Sequence, residues 1–310
     1  MIRRAVSLLV SGLFLAAPVQ TQDSVIRVNV RLVRMLVTVK DSDGQLIGSL
    51  NKSDFTVLDS DVPQDISVFE RQTEQPLSVA LVMDTSASVG IELRYELDSA
   101  AKFLRALISE GNPRDQAALY SFNWQTTLLR NFTRRFNLLE QSLRQIRTEG
   151  GTSLYDTIFL VSRELENREG RHIMVMVTDG GDTTSTKDFH QALESAQRAD
   201  VVMYPVVVIP IENNAGRNTG GENALTTLSV GTGGRVFTPS SAAELDRAFE
   251  EILRDLRTQY MIGYYPKDVP PSKDRFHILK VSVTAPGRNL RVSTRSGYYS
   301  EADAPRGFGR

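Results

Sequence analysis

The chain has 310 residues, 41% of them hydrophobic and 24% charged, with a formal net charge of −1 and no cysteine. At ~150 residues per domain there is room for about two domains with sizeable cores. The balanced charge supplies no basic field for nucleic acid or an anionic membrane surface. Without cysteine there is no disulfide and no lipidated cysteine, so stability rests on packing.

The chain opens on "MIRRAVSLLVSGLFLAAPVQTQ", with Arg3 and Arg4 ahead of an apolar run from Ala5 to Ala17 and then small and polar residues. That layout predicts a secretory signal peptide over residues 1–21, cleaved near Gln20. The competing reading is a membrane-anchoring helix, for which the run is short. The surroundings of the arginine pair fit twin-arginine export poorly. No later segment is apolar enough to cross a bilayer, so the mature protein is expected to be soluble, in the periplasm or at the cell surface and beyond.

Residues 25–76 read as an N-terminal β arm. Val28, Val30 and Leu32 alternate with polar residues, and Asp43-Gly44 sits between two apolar runs as a hairpin signal. "DFTVLDSDVPQDISVFE" repeats the theme, with a turn around Asp59 to Pro63. Asp41, Asp43, Asp59 and Asp61 do not have calcium-loop spacing and are read as solvated turn residues.

From 77 to 257 strands alternate with helices. "LSVALVM", "AALYSFN" (117–123), "TTLLRNF" (126–132), "HIMVMVTDGGD", "VVMYPVVVI" and a short "GGRVFTP" are the strands. Helices are predicted over 91–110, 136–146, the stretch after "GGTS", 187–199 and from Ala242, where Ser241 and Glu244 have capping-box spacing. Residues 211–221, polar and rich in Asn and Gly, read as a loop. The alternation predicts an α/β fold with a doubly wound, mostly parallel sheet. Residues 258–299 return to β structure, and 300–310 read as a flexible tail. Each β arm alone is marginal. The two are therefore expected to pair into one small β-sandwich-like domain with the α/β unit inserted between them; two separate β modules are the alternative.

The chemistry concentrates at strand ends. The apolar run Leu77–Met83 stops at Asp84, with Ser86 and Ser88 at alternate positions. Thr152 follows the glycines of "GGTS", and Asp179 ends "VMVTD". In a doubly wound sheet these turns open together at the carboxyl ends of the strands. Alternate side chains leaving a strand point the same way, so Asp84, Ser86 and Ser88 can converge. The donors are all oxygen, which suits Mg²⁺, Mn²⁺ or Ca²⁺ and not zinc. A helix N-cap would explain Asp84 alone.

These residues resemble the metal ion-dependent adhesion site of the von Willebrand factor A domain, whose Asp-x-Ser-x-Ser, Thr and Asp are matched at all five positions. The flanking "GSLNKSDFTVLD" and "YMIGYYP … SGYY" are similar to those of an exported bacterial group of related proteins abundant in Acidobacteria. The resemblance implies that Ser86, Ser88 and Thr152 contact the metal, and that Asp84 and Asp179 do so directly or through water. It also implies an open coordination position for an Asp or Glu of a partner protein, and a last helix that shifts when the site is occupied. The expected function is a non-enzymatic, exported protein-binding module. The runner-up is a structural component of a cell-envelope assembly with a stabilising metal, and a water-activating hydrolase comes third. A Gly-x-Ser-x-Gly elbow and a phosphate-binding loop are both missing. His172, His190 and His277 read as structural or solvated. Asp182 either neighbours the ion or is merely hydrated, and Trp124 is either rim surface or packing.

Overall fold

The computed structural model describes residues 32–71, 74–86, 93–148, 150–208 and 219–300. The signal peptide, the first part of the N-terminal arm, Ser88 and residues 301–310 of the tail lie outside the described residues. The N-terminal flank forms β1 (Val33–Lys40), β2 (Phe55–Asp59), β3 (Val62–Gln64) and β4 (Ile66–Glu70). The middle forms β5 (Leu77–Asp84), α1 (Leu93–Glu110), β6 (Gln116–Phe122), β7 (Thr126–Thr133), α2 (Phe136–Leu143), α3 (Leu154–Glu166) and β8 (Arg171–Thr178). It continues with α4 (Phe189–Arg198), β9 (Val201–Val207), α5 (Thr219–Thr232) and α6 (Ala242–Thr258). The C-terminal flank adds β10 (Tyr260–Tyr264), β11 (Phe276–Val283), β12 (Arg291–Ser293) and β13 (Gly297–Tyr299).

The two flanks are interleaved. One sheet runs β12-β1-β10-β4 and the other β13-β11-β2-β3, so each contains strands from both ends of the chain. β1 pairs with β10 from Val33↔Tyr264 to Val37↔Tyr260, and β2 pairs with β11 from Phe55↔Val283 to Asp59↔Leu279, both antiparallel. Alternate residues of β1 (Val33, Met35, Val37, Val39) and β10 (Tyr260, Ile262, Tyr264) meet Phe55, Val57 and Leu279 in a single core. This is the two-residue period of a half-buried strand, closed face to face as a sandwich. The Asp43-Gly44 turn forms, with Gly44 N–H donating to Asp41 O (3.1 Å), but beyond it the chain makes only an isolated bridge, Lys40↔Leu46. Ser60 and Asp61, both at positive φ, make the tight turn between β2 and β3.

Asp59 departs from its expected role as a solvated turn residue. Its position on β2 turns it inward and it is fully buried. Its carboxylate accepts the hydroxyls of Tyr264 (2.7 Å), Tyr298 (2.8 Å) and Ser60 (3.2 Å). Burial and the neighbouring Asp59 both push the Tyr264 and Tyr298 hydroxyls above the usual phenol range, keeping them donors. His277 is likewise buried, stacked on Tyr298. A buried acid is tolerated here because it is hydrogen-bonded, and its tyrosine donors come from the opposite flank of the chain.

The inserted unit is a five-stranded sheet in the order β7-β6-β5-β8-β9. β5, β6, β8 and β9 are parallel and β7 is an antiparallel edge. Every residue of β5 is buried, and its alternation divides it between two cores. Val79, Leu81 and Met83 face α1, α2 and α6, while Ala80 and Val82 face α3, α4 and α5. β8 divides in the same way, which accounts for Met174 and Met176 as core residues. Two predicted boundaries shift. The "GGRVFTP" segment makes only a bridge, Val206↔Phe237, and Thr219 to Gly221 begin α5 instead of ending a loop. The predicted cap of α6 forms, with Ser241 Oγ accepting from Glu244 N (3.2 Å).

The sandwich meets the α/β unit at the amino ends of the parallel strands. Arg171, at the start of β8, donates to Leu256 O (2.5 Å), Gln259 Oε1 (3.4 Å) and Gln75 O (3.4 Å), which joins both chain crossings between the units. A single residue, Gln259, separates α6 from β10. The opposite, carboxyl ends of the strands are left for the site.

Asp59→Ala is expected to lower stability by roughly 3 kcal/mol, because it strands the buried hydroxyl of Tyr264 and the partly buried one of Tyr298. Asp59→Asn, which keeps an acceptor oxygen, should lose less. Thermal melts of the three proteins check this ordering, and identical melting temperatures would contradict it.

Candidate metal centre

β5 is the middle strand, and the crossovers diverge from it. The connection from β5 to β6 carries α1 on one face, and the connection from β8 to β9 carries α4 on the other. The winding therefore reverses between β5 and β8, and the crevice at their carboxyl ends lies between Asp84 and Asp179.

Asp84 follows Ala80 and Val82 on the face toward α3, and its relative exposure is 0%. One carboxylate oxygen accepts Ser86 N–H (2.8 Å) and the other accepts Thr178 Oγ–H (2.6 Å). Thr178 Oγ1 in turn accepts Gly180 N–H (3.1 Å), so the end of β8 is locked to the end of β5. Asp179 Oδ1 accepts Gly181 N–H (3.0 Å), which bends its loop back over the strand end. Asp179 is half-buried, and Ser86 is buried beside Asp84.

The third contributor, the turn into α3, is fastened to both neighbours. Thr152 O accepts the N–H groups of Thr183 (2.8 Å) and Thr184 (3.1 Å), while Thr152 N–H donates to Thr183 Oγ1 (3.0 Å). Ser153 N–H donates to Asn123 O (2.6 Å), and Ser153 Oγ donates to Trp124 O (2.8 Å). Thr85 N–H and Oγ–H both donate to Phe122 O, tying the β5 end to the β6 end. Gly151 has φ +82, and a Cβ there would lie 3.0 Å from Trp124 Cβ, so only glycine fits this turn without displacing its neighbour. The strand-end turns are thus laced into one cluster.

Burial pushes the Asp84 carboxyl up to about 6, and the Asp179 carboxylate adds to the shift, against the hydrogen bonds from Thr178 and Ser86. Desolvation wins over hydrogen bonding here, so positive charge brought to this place would favour the ionised form. The donors are two carboxylates and the hydroxyls of Ser86 and Thr152, a set that fits a hard divalent ion. Among the described residues no group of three His, Cys, Asp or Glu converges anywhere. His172 sits at the opposite end of β8, with its ring nitrogens near Ala199 O (2.6 Å) and Arg168 O (2.9 Å).

The structure brings Asp84, Ser86 and Asp179 together, and places Thr152 in the turn bonded to the Asp179 loop. Asp182 is assigned elsewhere: its Oδ1 accepts Leu154 N–H (2.8 Å) and Ser185 Oγ–H (2.5 Å), capping α3. Thr178 is the residue that the sequence reading overlooked. Its signal was its place, immediately before Asp179 at the end of a buried strand.

Residues 79–181 match the von Willebrand factor type A domain family. No curated protein matches the chain. Among solved structures, the von Willebrand factor type A protein from Catenulispora acidiphila superposes with a TM-score of 0.50 at 10% identity, over 89% of this chain and 76% of its own. The pilus adhesin SpaC from Lactobacillus rhamnosus GG, in its open conformation, gives 0.49 at 10% identity, over 81% of this chain and 48% of that one. The vWF domain of the type V pili tip protein Mfa5 from Porphyromonas gingivalis gives 0.46 at 14% identity, over 58% and 94%. The inserted α/β unit, whose matched segment carries all three strand-end turns, has the von Willebrand factor A-type fold.

Proposed function

We propose that this chain is an exported binding module that grips an acidic side chain of a partner protein through a divalent cation, Mg²⁺ or else Mn²⁺ or Ca²⁺. Asp84, Ser86, Thr152 and Asp179 hold the ion, joined by Ser88, which lies outside the described residues. The observation that carries this reading is a carboxylate buried at the topological switch point, facing a second carboxylate and hydroxyls, with no cationic side chain paired to it among the described residues. A bound ion supplies positive charge and a coordination position for an external carboxylate. The hydroxyls add no charge of their own, so the ion carries less negative charge around it than an all-acid cage would supply, and an outside Asp or Glu can take the remaining coordination position. Thr178 orients Asp84, and the lacing of Thr152 to Thr183 and Thr184 holds the site in shape before the ligand arrives.

Export rests on the leader of residues 1–21, as does the proposed kinship with exported Acidobacteria-type proteins on the flanking segments. Among the described residues no helix is long and apolar enough to cross a membrane. We assign no catalysis to the site: around Asp84 and Asp179 no histidine is placed to act as a base.

Mg²⁺ at a hundred times its Kd is expected to stabilise the protein by about 2.7 kcal/mol. EDTA should reverse the gain, and Asp179→Ala should abolish it. Asp84→Asn should be neutral or stabilising by about 1–2 kcal/mol in EDTA, since it removes a desolvated charge, and should lose the Mg²⁺ response. Calorimetric melts with and without metal read both effects. Pull-down from envelope or secreted extracts is expected to capture a partner in Mg²⁺, with capture lost in EDTA, in Asp84→Ala and in excess acetate. Capture that survives EDTA and Asp84→Ala overturns the mechanism. A metal effect on melting with no competition by carboxylates would instead make the ion structural.

A further inference from the structure

We infer that Trp124 is the apolar half of the ligand surface, so that the segment recognised carries a large apolar side chain next to its acidic residue. The inference rests on the metal-site reading above and adds the neighbour that the carboxylate must have. Trp124 is the only tryptophan of the chain and is 57% exposed. It sits at the tip of the β6–β7 turn, directly against the turn that bears Thr152: its Cβ is 3.0 Å from where a Cβ on Gly151 would lie, and its carbonyl accepts Ser153 Oγ–H (2.8 Å).

The indole is not needed to build that turn. Asn123 N–H donates to Gln125 O (3.1 Å), Gln125 N–H donates to Asn123 Oδ1 (3.0 Å), and Ser153 N–H holds Asn123 O (2.6 Å). The backbone is therefore fixed from both sides while the largest apolar side chain available is left facing water. Large aromatics on a rigid frame lose little conformational freedom on binding and dominate contact energy when a partner covers them. A carboxylate is present on every soluble protein, so coordination alone discriminates poorly between partners, and an apolar contact one residue away supplies the discrimination. The surface thus pairs a cation-seeking pole with an aromatic platform beside it, and the matching ligand is an extended protein segment with Asp or Glu adjoining a Leu- or Phe-like side chain.

Two fluorophore-labelled peptides of equal length test this, each with a central glutamate, one flanked by leucines and the other by serines. Anisotropy titrations in saturating Mg²⁺ should show the leucine-flanked peptide binding at least tenfold tighter. Its binding should shift the emission of Trp124 to the blue in the unaltered protein. Trp124→Ala, checked for folding by its melt, should bring the two peptides within about twofold of each other, and Trp124→Phe should keep part of the preference. Equal binding of both peptides to the unaltered protein, or a preference untouched by Trp124→Ala, overturns the inference while leaving the metal reading intact. A leucine preference that depends on Trp124 but survives EDTA and Asp84→Ala supports the aromatic contact and overturns the metal reading. Binding by neither peptide overturns both.

Discussion

A carboxylate buried at the end of the central strand organises this molecule. Asp84 has no exposure, and its two oxygens are held by Ser86 N–H and the Thr178 hydroxyl. Those bonds draw the β5 and β8 ends together but do not offset desolvation, and the Asp179 carboxylate nearby makes the charge harder to hold. Burial and the like charge both disfavour the ionised form of this group. The glycine turns and the lacing around Thr152 keep the arrangement from relaxing.

The scaffold holds this group in place. Two cores clamp β5 from both faces, so the strand end cannot move to rehydrate its acid. The sandwich sits at the other end of the strands, where buried Arg171 gathers the chain crossings. Burial pulls the Arg171 guanidinium down to about 10, partly opposed by the Asp115 carboxylate. The two poles of the sheet thus differ: a hydrogen-bonded cation ties the units together at one end, and two acids stand close at the other. α6 runs with one intervening residue into β10, so the helix and the sandwich share one continuous backbone.

The two buried acids, Asp84 and Asp59, show how context decides the role of one residue type. Asp59 receives phenolic and seryl hydroxyls from strands of both flanks and fastens the sandwich. Asp84 receives a backbone N–H and the hydroxyls of Ser86 and Thr178, and faces a like charge. Both acids are hydrogen-bonded, and what sets Asp84 apart is the second carboxylate, Asp179, beside it.

The alternation of apolar runs with helical stripes was enough to determine the parallel sheet, because a strand buried on both faces must be apolar throughout. The meeting of Asp84, Ser86 and Asp179 was legible for a related reason: oxygen donors at the ends of such strands have nowhere to open except the carboxyl edge of the sheet. The roles of Asp59, Asp182, Thr178 and Trp124 were not legible. An aspartate beside a turn has the same local pattern whether it faces water, caps a helix or anchors a core. The Tyr264 and Tyr298 hydroxyls that settle the case for Asp59 lie more than 200 residues along the chain. Trp124 differs from a packed tryptophan only in what stands around it, and a segment's own sequence carries no record of what distant segments leave uncovered.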